Sequence, residues 1–176
     1  MWKTLSSKIV FKNPWWQIRK DRFETHTKKK GDFYFIDIKE SSFIIPVKGN
    51  KILFEKQYRY PIKKWTIELP GGSVKKGSNT RRAAEEELRE ELGYKAGRLE
   101  RVGRFVPYNG VSSEICSVFL ARDLKFIGAD KEETEYIDPI EIEIKQAYKM
   151  IEENKIIDGM TIASLMLAQK KLLNKK

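Results

Sequence analysis

The 176 residues suit one domain of moderate size, 40% hydrophobic and 34% charged, with a formal net charge of +10. Apolar runs fall short of a membrane span, and MWKTLSSKIVFKNPWW has no continuous apolar stretch, so neither a membrane protein nor a secretory leader is expected. Cys116 is the only cysteine and His26 the only histidine, which excludes an intrachain disulfide and a multi-histidine metal site. A reducing, cytoplasmic location is expected, and any metal would be held mainly by oxygen, as Mg²⁺ or Mn²⁺ are. The positive surplus favours anionic ligands generally. Lys28-Lys29-Lys30, Lys170-Lys171 and Lys175-Lys176 read as a solvated turn and tail, so charge alone names no partner.

In chain order, residues 7–12 and 16–23 read as short strands around the turn Asn13-Pro14. A turn at Lys28–Gly31 precedes the alternating Phe33, Phe35, Asp37 segment. SSFIIPVKGNKILFEKQYRY contains two β-rich runs joined at Lys48-Gly49-Asn50, a hairpin signal. Trp65–Leu69 is a further strand, stopped by the glycine-rich loop Pro70-Gly71-Gly72. A helix follows over 80–92 and is closed by Gly93. Strands return at Leu99–Val106, Ile115–Ala121 and Ile137–Ile142, the last holding Pro139, which suits an edge or a bulge. Helices near 143–154 and 160–173 end the chain, separated around Asp158-Gly159. This pattern predicts an α+β layering with a sheet between helices.

The helix over 80–92 carries the chemistry. Glu87, Glu90 and Glu91 stand at i, i+3 and i+4 and share one face, with Ala84, Leu88 and Leu92 on an adjacent apolar stripe. Three like charges repel unless a divalent cation neutralises them. A solvated acidic face relieved by Arg81, Arg82 and Arg89 is the alternative, and helix spacing leaves both open. The preceding Glu68-Leu69-Pro70-Gly71-Gly72 ends a strand where backbone can approach a ligand and offer a carbonyl or N–H groups.

Taken together, residues 68–94 resemble the Nudix box, with Gly72, Glu87, Leu88, Glu90, Glu91, Gly93 and Tyr94 at matching positions. Gln57-Tyr58-Arg59, Phe105–Glu114, Phe119-Leu120-Ala121 and Ile156–Leu165 extend the likeness towards the ADP-ribose pyrophosphatase branch, although Asn109 stands where a proline often precedes the glycine at 110. The resemblance implies an α/β/α sandwich with a mixed sheet between helices over residues 41–176. Residues 1–40 would form an N-terminal strand region that contributes to a homodimer. It implies Mg²⁺, or Mn²⁺, held by Glu87, Glu90, Glu91 and the Gly71 carbonyl, with Glu90 also counted among the catalytic residues. A loop glutamate, Glu135 or else Glu133, would act as general base. Arg59, Glu68, Arg104, Trp15, Trp16 and Tyr108 would bind a nucleoside-diphosphate-linked substrate.

Two positions depart from the box. Ser78 replaces a loop glutamate and Glu86 a helix arginine that usually helps to orient the carboxylates. Pairing of Glu86 with Arg82 and Arg89 on the outer edge is expected. The reaction implied is hydrolysis of a diphosphate linkage in ADP-ribose or a related nucleotide sugar. The alternatives are a dinucleoside polyphosphate or capped RNA as substrate, or a non-hydrolytic nucleotide- or RNA-binding module. Nucleic acid is the less favoured partner.

Overall fold

The computed structural model describes residues 1–129 and 137–174. Its contacts divide the chain into two compact units, Met1–Glu40 with Val106–Ile115, and Ser41–Phe105 with Cys116–Lys176.

In the first unit, β1 (Lys3–Lys12), β2 (Gln17–Glu24) and β3 (Lys30–Asp37) form an antiparallel sheet in that order. The Asn13 side chain makes the first turn by accepting from the N–H groups of Trp15 (2.9 Å) and Trp16 (2.8 Å), a role suited to its short carbonyl arm. The Ile36 N–H donates to the Val111 carbonyl and the Ile36 carbonyl accepts from the Ser113 N–H, which attaches the 106–115 segment to β3. Every residue of β1 is exposed. The sheet relies on ring contacts: Trp2 stacks on Phe23 at 4.4 Å and the Arg19 guanidinium lies 4.6 Å over Phe35.

The second unit is built on β4 (Ser41–Lys48), which is buried along all but its last residue. It joins β5 (Lys51–Arg59) through the expected hairpin, where Gly49 takes a φ of +62°. The sheet runs β10 (Ile137–Glu143), β5, β4, β9 (Cys116–Phe126), β8 (Tyr94–Phe105), with β6 (Lys64–Glu68) against β5 and β7 (Gly71–Ser73) against β4. The β4–β9 pair is parallel and the remaining pairs are antiparallel, so the sheet is mixed.

Alternation along β4 sends Phe43, Ile45 and Val47 into one apolar cluster and Ile44 into another. The first cluster takes Ile144 and Ala147 of α2 (Ile144–Glu152) and Leu165, Ala168 and Leu172 of α3 (Gly159–Leu173); the second takes Ala84, Leu88 and Leu92 of α1 (Thr80–Leu92). One face therefore carries α1 and the other α2 and α3, the helix–sheet–helix layering expected. No helix among the described residues is long and apolar enough to cross a membrane.

Several extents differ from expectation, β1 among them, which starts at Lys3 rather than residue 7. Gly71–Ser73 is strand β7 rather than loop, because its backbone pairs with β4 at Phe43↔Gly71, Ser42↔Gly72 and Ser41↔Ser73. β8 starts at Tyr94, immediately after Gly93, and β9 continues to Phe126, so that the two form a long hairpin pair from Tyr94↔Phe126 to Phe105↔Cys116. Pro139 lies on β10, at the end of the sheet order, in unbroken register with β5; it occupies an edge and not a bulge. Cys116 is a buried core residue.

Candidate active site

The ends of α1 are fixed locally. The Asn79 side chain accepts from the Arg82 N–H at 3.0 Å, and Gly93 closes the helix with a φ of +76°, its N–H donating to the Arg89 carbonyl. A Cβ at Gly93 would stand 2.6 Å from the Ala129 nitrogen, so both conformation and space require glycine there. Burial of Ala83, Ala84, Leu88 and Leu92 then sets the rotation of the helix about its axis.

That rotation turns Glu87 and Glu91 towards β7. The Gly71 N–H donates to Glu91 Oε2 at 3.1 Å, and Glu91 is only 9% exposed. A Cβ added to Gly72 would fall 2.3 Å from Glu87 Oε1, so the absence of a side chain at 72 is what admits this carboxylate. Glu90 sits at the flank of the same face. Its Oε1 takes a bond from Arg89 at 3.0 Å, and its Oε2 lies 3.5 Å from the Lys75 ammonium. Glu86 is further out and pairs with Arg82 (3.3 Å) and with Lys75 (3.9 Å). Arg82 is one of the two arginines expected to pair with it. Lys75, from the loop between β7 and α1, was missed by sequence reasoning, because a contact across 11 to 15 residues leaves no periodic signal.

A second group of charges forms where β5 and β6 pair. Glu68 is 3% exposed; Arg59 holds it in a two-pronged ion pair, with Nε to Oε1 at 2.8 Å and Nη2 to Oε2, and the Thr66 hydroxyl donates to Oε1 as well. The carboxylate of Glu68 pushes the Arg59 pKa above its ordinary value, so the guanidinium is a permanent cation. Glu55, also buried, stands opposite Glu68 in the β5–β6 register. Sequence reasoning overlooked it, although a carboxylate in the apolar run Ile52-Leu53-Phe54-Glu55 was a visible signal.

Of the remaining expected residues, Arg104 is exposed on β8. Trp15 (77% exposed) and Trp16 line a cavity of about 380 Å³ within the first unit, together with Asp37 and Lys39. Tyr108 is exposed in the 106–115 segment. Glu133 and Glu135 lie outside the described residues.

Among the described residues no three carboxylate, histidine or cysteine side chains stand close enough to enclose an ion by themselves. The donors that do converge, two carboxylates and the glycine backbone of β7, are all hard oxygen or amide groups. A hard divalent cation suits the carboxylates of such a set, because such ions can bind one or two carboxylates and keep water or substrate phosphate in their other positions.

The Nudix domain pattern matches residues 39–158, which include the whole glycine strand and carboxylate helix. The chain belongs to the Nudix hydrolase family. Residues 2–36 match the N-terminal domain of nucleoside diphosphate sugar hydrolases. Over 123 residues the chain is 32% identical to an ADP-ribose pyrophosphatase of Bacillus subtilis (strain 168), covering 69% of this chain and 66% of that protein. It is 34% identical over 122 residues to a methanol dehydrogenase activator of Bacillus methanolicus, covering 68% and 66%. The chain thus matches just under two thirds of the length of either relative. In structure it superposes on an ADP compounds hydrolase with a TM-score of 0.87, spanning 97% of this chain and 94% of the other at 16% identity, a likeness of fold.

Proposed function

We propose that this Nudix protein hydrolyses a diphosphate linkage in ADP-ribose or a related nucleotide sugar, releasing a nucleoside monophosphate and a sugar phosphate in a metal-dependent reaction. The observation that carries the proposal is the seating of Glu87 and Glu91 against the side-chain-free edge of β7, with Gly71 N–H on Glu91 and no Cβ in the way of Glu87. Glu87, Glu91, Glu90 and the Gly71 carbonyl would hold Mg²⁺ or Mn²⁺. When bound, such an ion neutralises diphosphate charge and lowers the pKa of a coordinated water.

The chain's own residues supply the remainder. Leu88 and its apolar neighbours keep α1 from rotating, so the inner carboxylates stay aimed at β7. Arg59, fixed on one side by Glu68, presents a cation to the anionic substrate. Arg104 is a further phosphate or ribose contact, and Trp15, Trp16 and Tyr108 offer faces for a base or sugar. Glu135, or Glu133, would take the proton of the attacking water. Residues 1–40 form the strand region that pairs two copies into a dimer, checked by light scattering after size-exclusion chromatography, and a cytoplasmic location goes with this reading.

The matches to nucleoside diphosphate sugar hydrolases and to an ADP-ribose pyrophosphatase support this substrate class over dinucleoside polyphosphates, capped RNA or binding without turnover. The test is monophosphate release from a panel of these compounds with Mg²⁺ or Mn²⁺. No release from any of them, and no change on Glu91→Gln, would overturn the reading.

A further inference from the structure

The loop between β7 and α1 reaches the carboxylate face with a positive charge. Lys75 Nζ stands 3.5 Å from Glu90 Oε2 and 3.9 Å from Glu86 Oε2, bridging two acidic residues one helical turn apart. Arg82 and Arg89 also meet these glutamates, but both belong to α1 and move with it. Lys75 is different, because it comes from another part of the chain and therefore ties the loop to the helix. The polarity is notable: the loop position where the box has a glutamate is Ser78, whose hydroxyl is buried without a hydrogen-bond partner among the described residues, and the helix position where it has an arginine is Glu86. This chain carries the cation on the loop and the anion on the helix.

We propose that Lys75 is a resident counter-cation of the α1 carboxylates, a positioning residue that holds Glu90 and competes with the divalent ion for it. Glu86, Glu87, Glu90 and Glu91 crowd two adjacent turns of one helix. Without an ion their repulsion is offset at the flank by Lys75, which keeps loop and helix together. When an ion arrives, Glu90 exchanges one cation for another, and the lysine's charge opposes binding. Lys75 is 62% exposed along its side chain, so it can swing into solvent at little cost. The predicted consequence is an ion affinity lower than the carboxylates alone would give and dependent on salt, since salt screens exposed pairs.

This inference rests on the metal-binding reading of α1, and the experiment separates the two. Mn²⁺ affinity is measured by titration with electron paramagnetic resonance on the full chain, for wild type, Lys75→Arg, Lys75→Met and Lys75→Glu, with thermal unfolding as a check on folding. The expected result is a graded series: Lys75→Arg matches wild type, Lys75→Met binds about two- to fivefold more tightly, and Lys75→Glu more tightly again. The differences should shrink in 0.5 M salt, an ionic strength at which the screening length is only roughly 4 Å. A residue that merely braces the loop would give the opposite sign, with weaker binding in Lys75→Met, and that result overturns the proposal. A flat series with Mn²⁺ still bound also overturns it and leaves the metal site standing. Failure of the wild-type chain to bind Mn²⁺ overturns both.

Discussion

The two sides of α1 carry the same residue type to different ends. On the inner side Glu91 accepts from the Gly71 N–H and Glu87 packs against Gly72 where a side chain would collide with it, beside Leu88 at full burial. On the outer side Glu86 and Glu90 are partly exposed and share Arg82, Arg89 and Lys75 in a solvent-facing network. An exposed ion pair contributes roughly 0–1 kcal/mol, whereas a carboxylate held against backbone has a direction that solvent does not average away. The difference teaches that position relative to β7, and not acidity, decides whether a carboxylate rests against backbone or in a network of mobile side chains, with Glu90 at the border between the two.

Substitutions on the two sides can break that contrast. The largest effect is expected at the pivot: Leu88→Ala should cost about 2–5 kcal/mol in chemical denaturation, against about 0.5 kcal/mol or less for Arg89→Ala one position on. Equal costs would mean that α1 is not held through its apolar stripe. Next, Glu91→Gln should lower kcat on the order of a hundredfold or more while Glu86→Gln changes it by less than about threefold. Similar losses for both, in the same diphosphate assay, would erase the distinction between inner and outer carboxylates. Gly72→Ala should then weaken Mn²⁺ binding roughly tenfold with little loss of stability, because the new methyl meets the flexible end of Glu87 rather than backbone. A large drop in melting temperature would instead assign Gly72 to folding.

The smallest effect lies away from α1, where Tyr148 of α2 donates to the Leu165 carbonyl of α3 at 2.7 Å and burial pushes its pKa up to about 12. A raised folded pKa means stabilisation that is complete below about pH 10, the unfolded tyrosine value, and is lost as pH rises towards 12. Tyr148→Phe should therefore show a flatter loss of stability than wild type across that alkaline window, with no difference in slope near neutrality.

Much of this was readable from the chain, for identifiable reasons. The α1 helix announces its end through Gly93, and its apolar stripe repeats at helical spacing, so the face shared by Glu87, Glu90 and Glu91 could be named, while the Asn79 cap, also a local signal, was passed over. The two-residue hairpin at Gly49-Asn50 and the edge proline were likewise local signals. By contrast β7 is three small residues with no side-chain pattern, and only its backbone bonds to Ser41–Phe43 make it a strand. The parallel pairing of β4 with β9 joins residues 75 apart and has no local mark. Lys75 on Glu86 and Glu90, and Arg59 on Glu68, are likewise tertiary choices among many charged residues. The pairing of Arg59 with Glu68 shows how two residues marked for substrate also serve to orient each other.

Pro139 has a consequence for how the protein behaves when crowded. β10 is the last strand of its sheet, so its outer rim offers amide groups that another chain's strand could join, and growth of that kind leads to fibres. A proline within Ile137-Asp138-Pro139-Ile140-Glu141-Ile142-Glu143 removes one donor from an otherwise β-prone run, and the acidic side chains between the isoleucines add like-charge repulsion to any self-templating neighbour. The residue that interrupts the pattern is thus a guard on the open edge of the sheet.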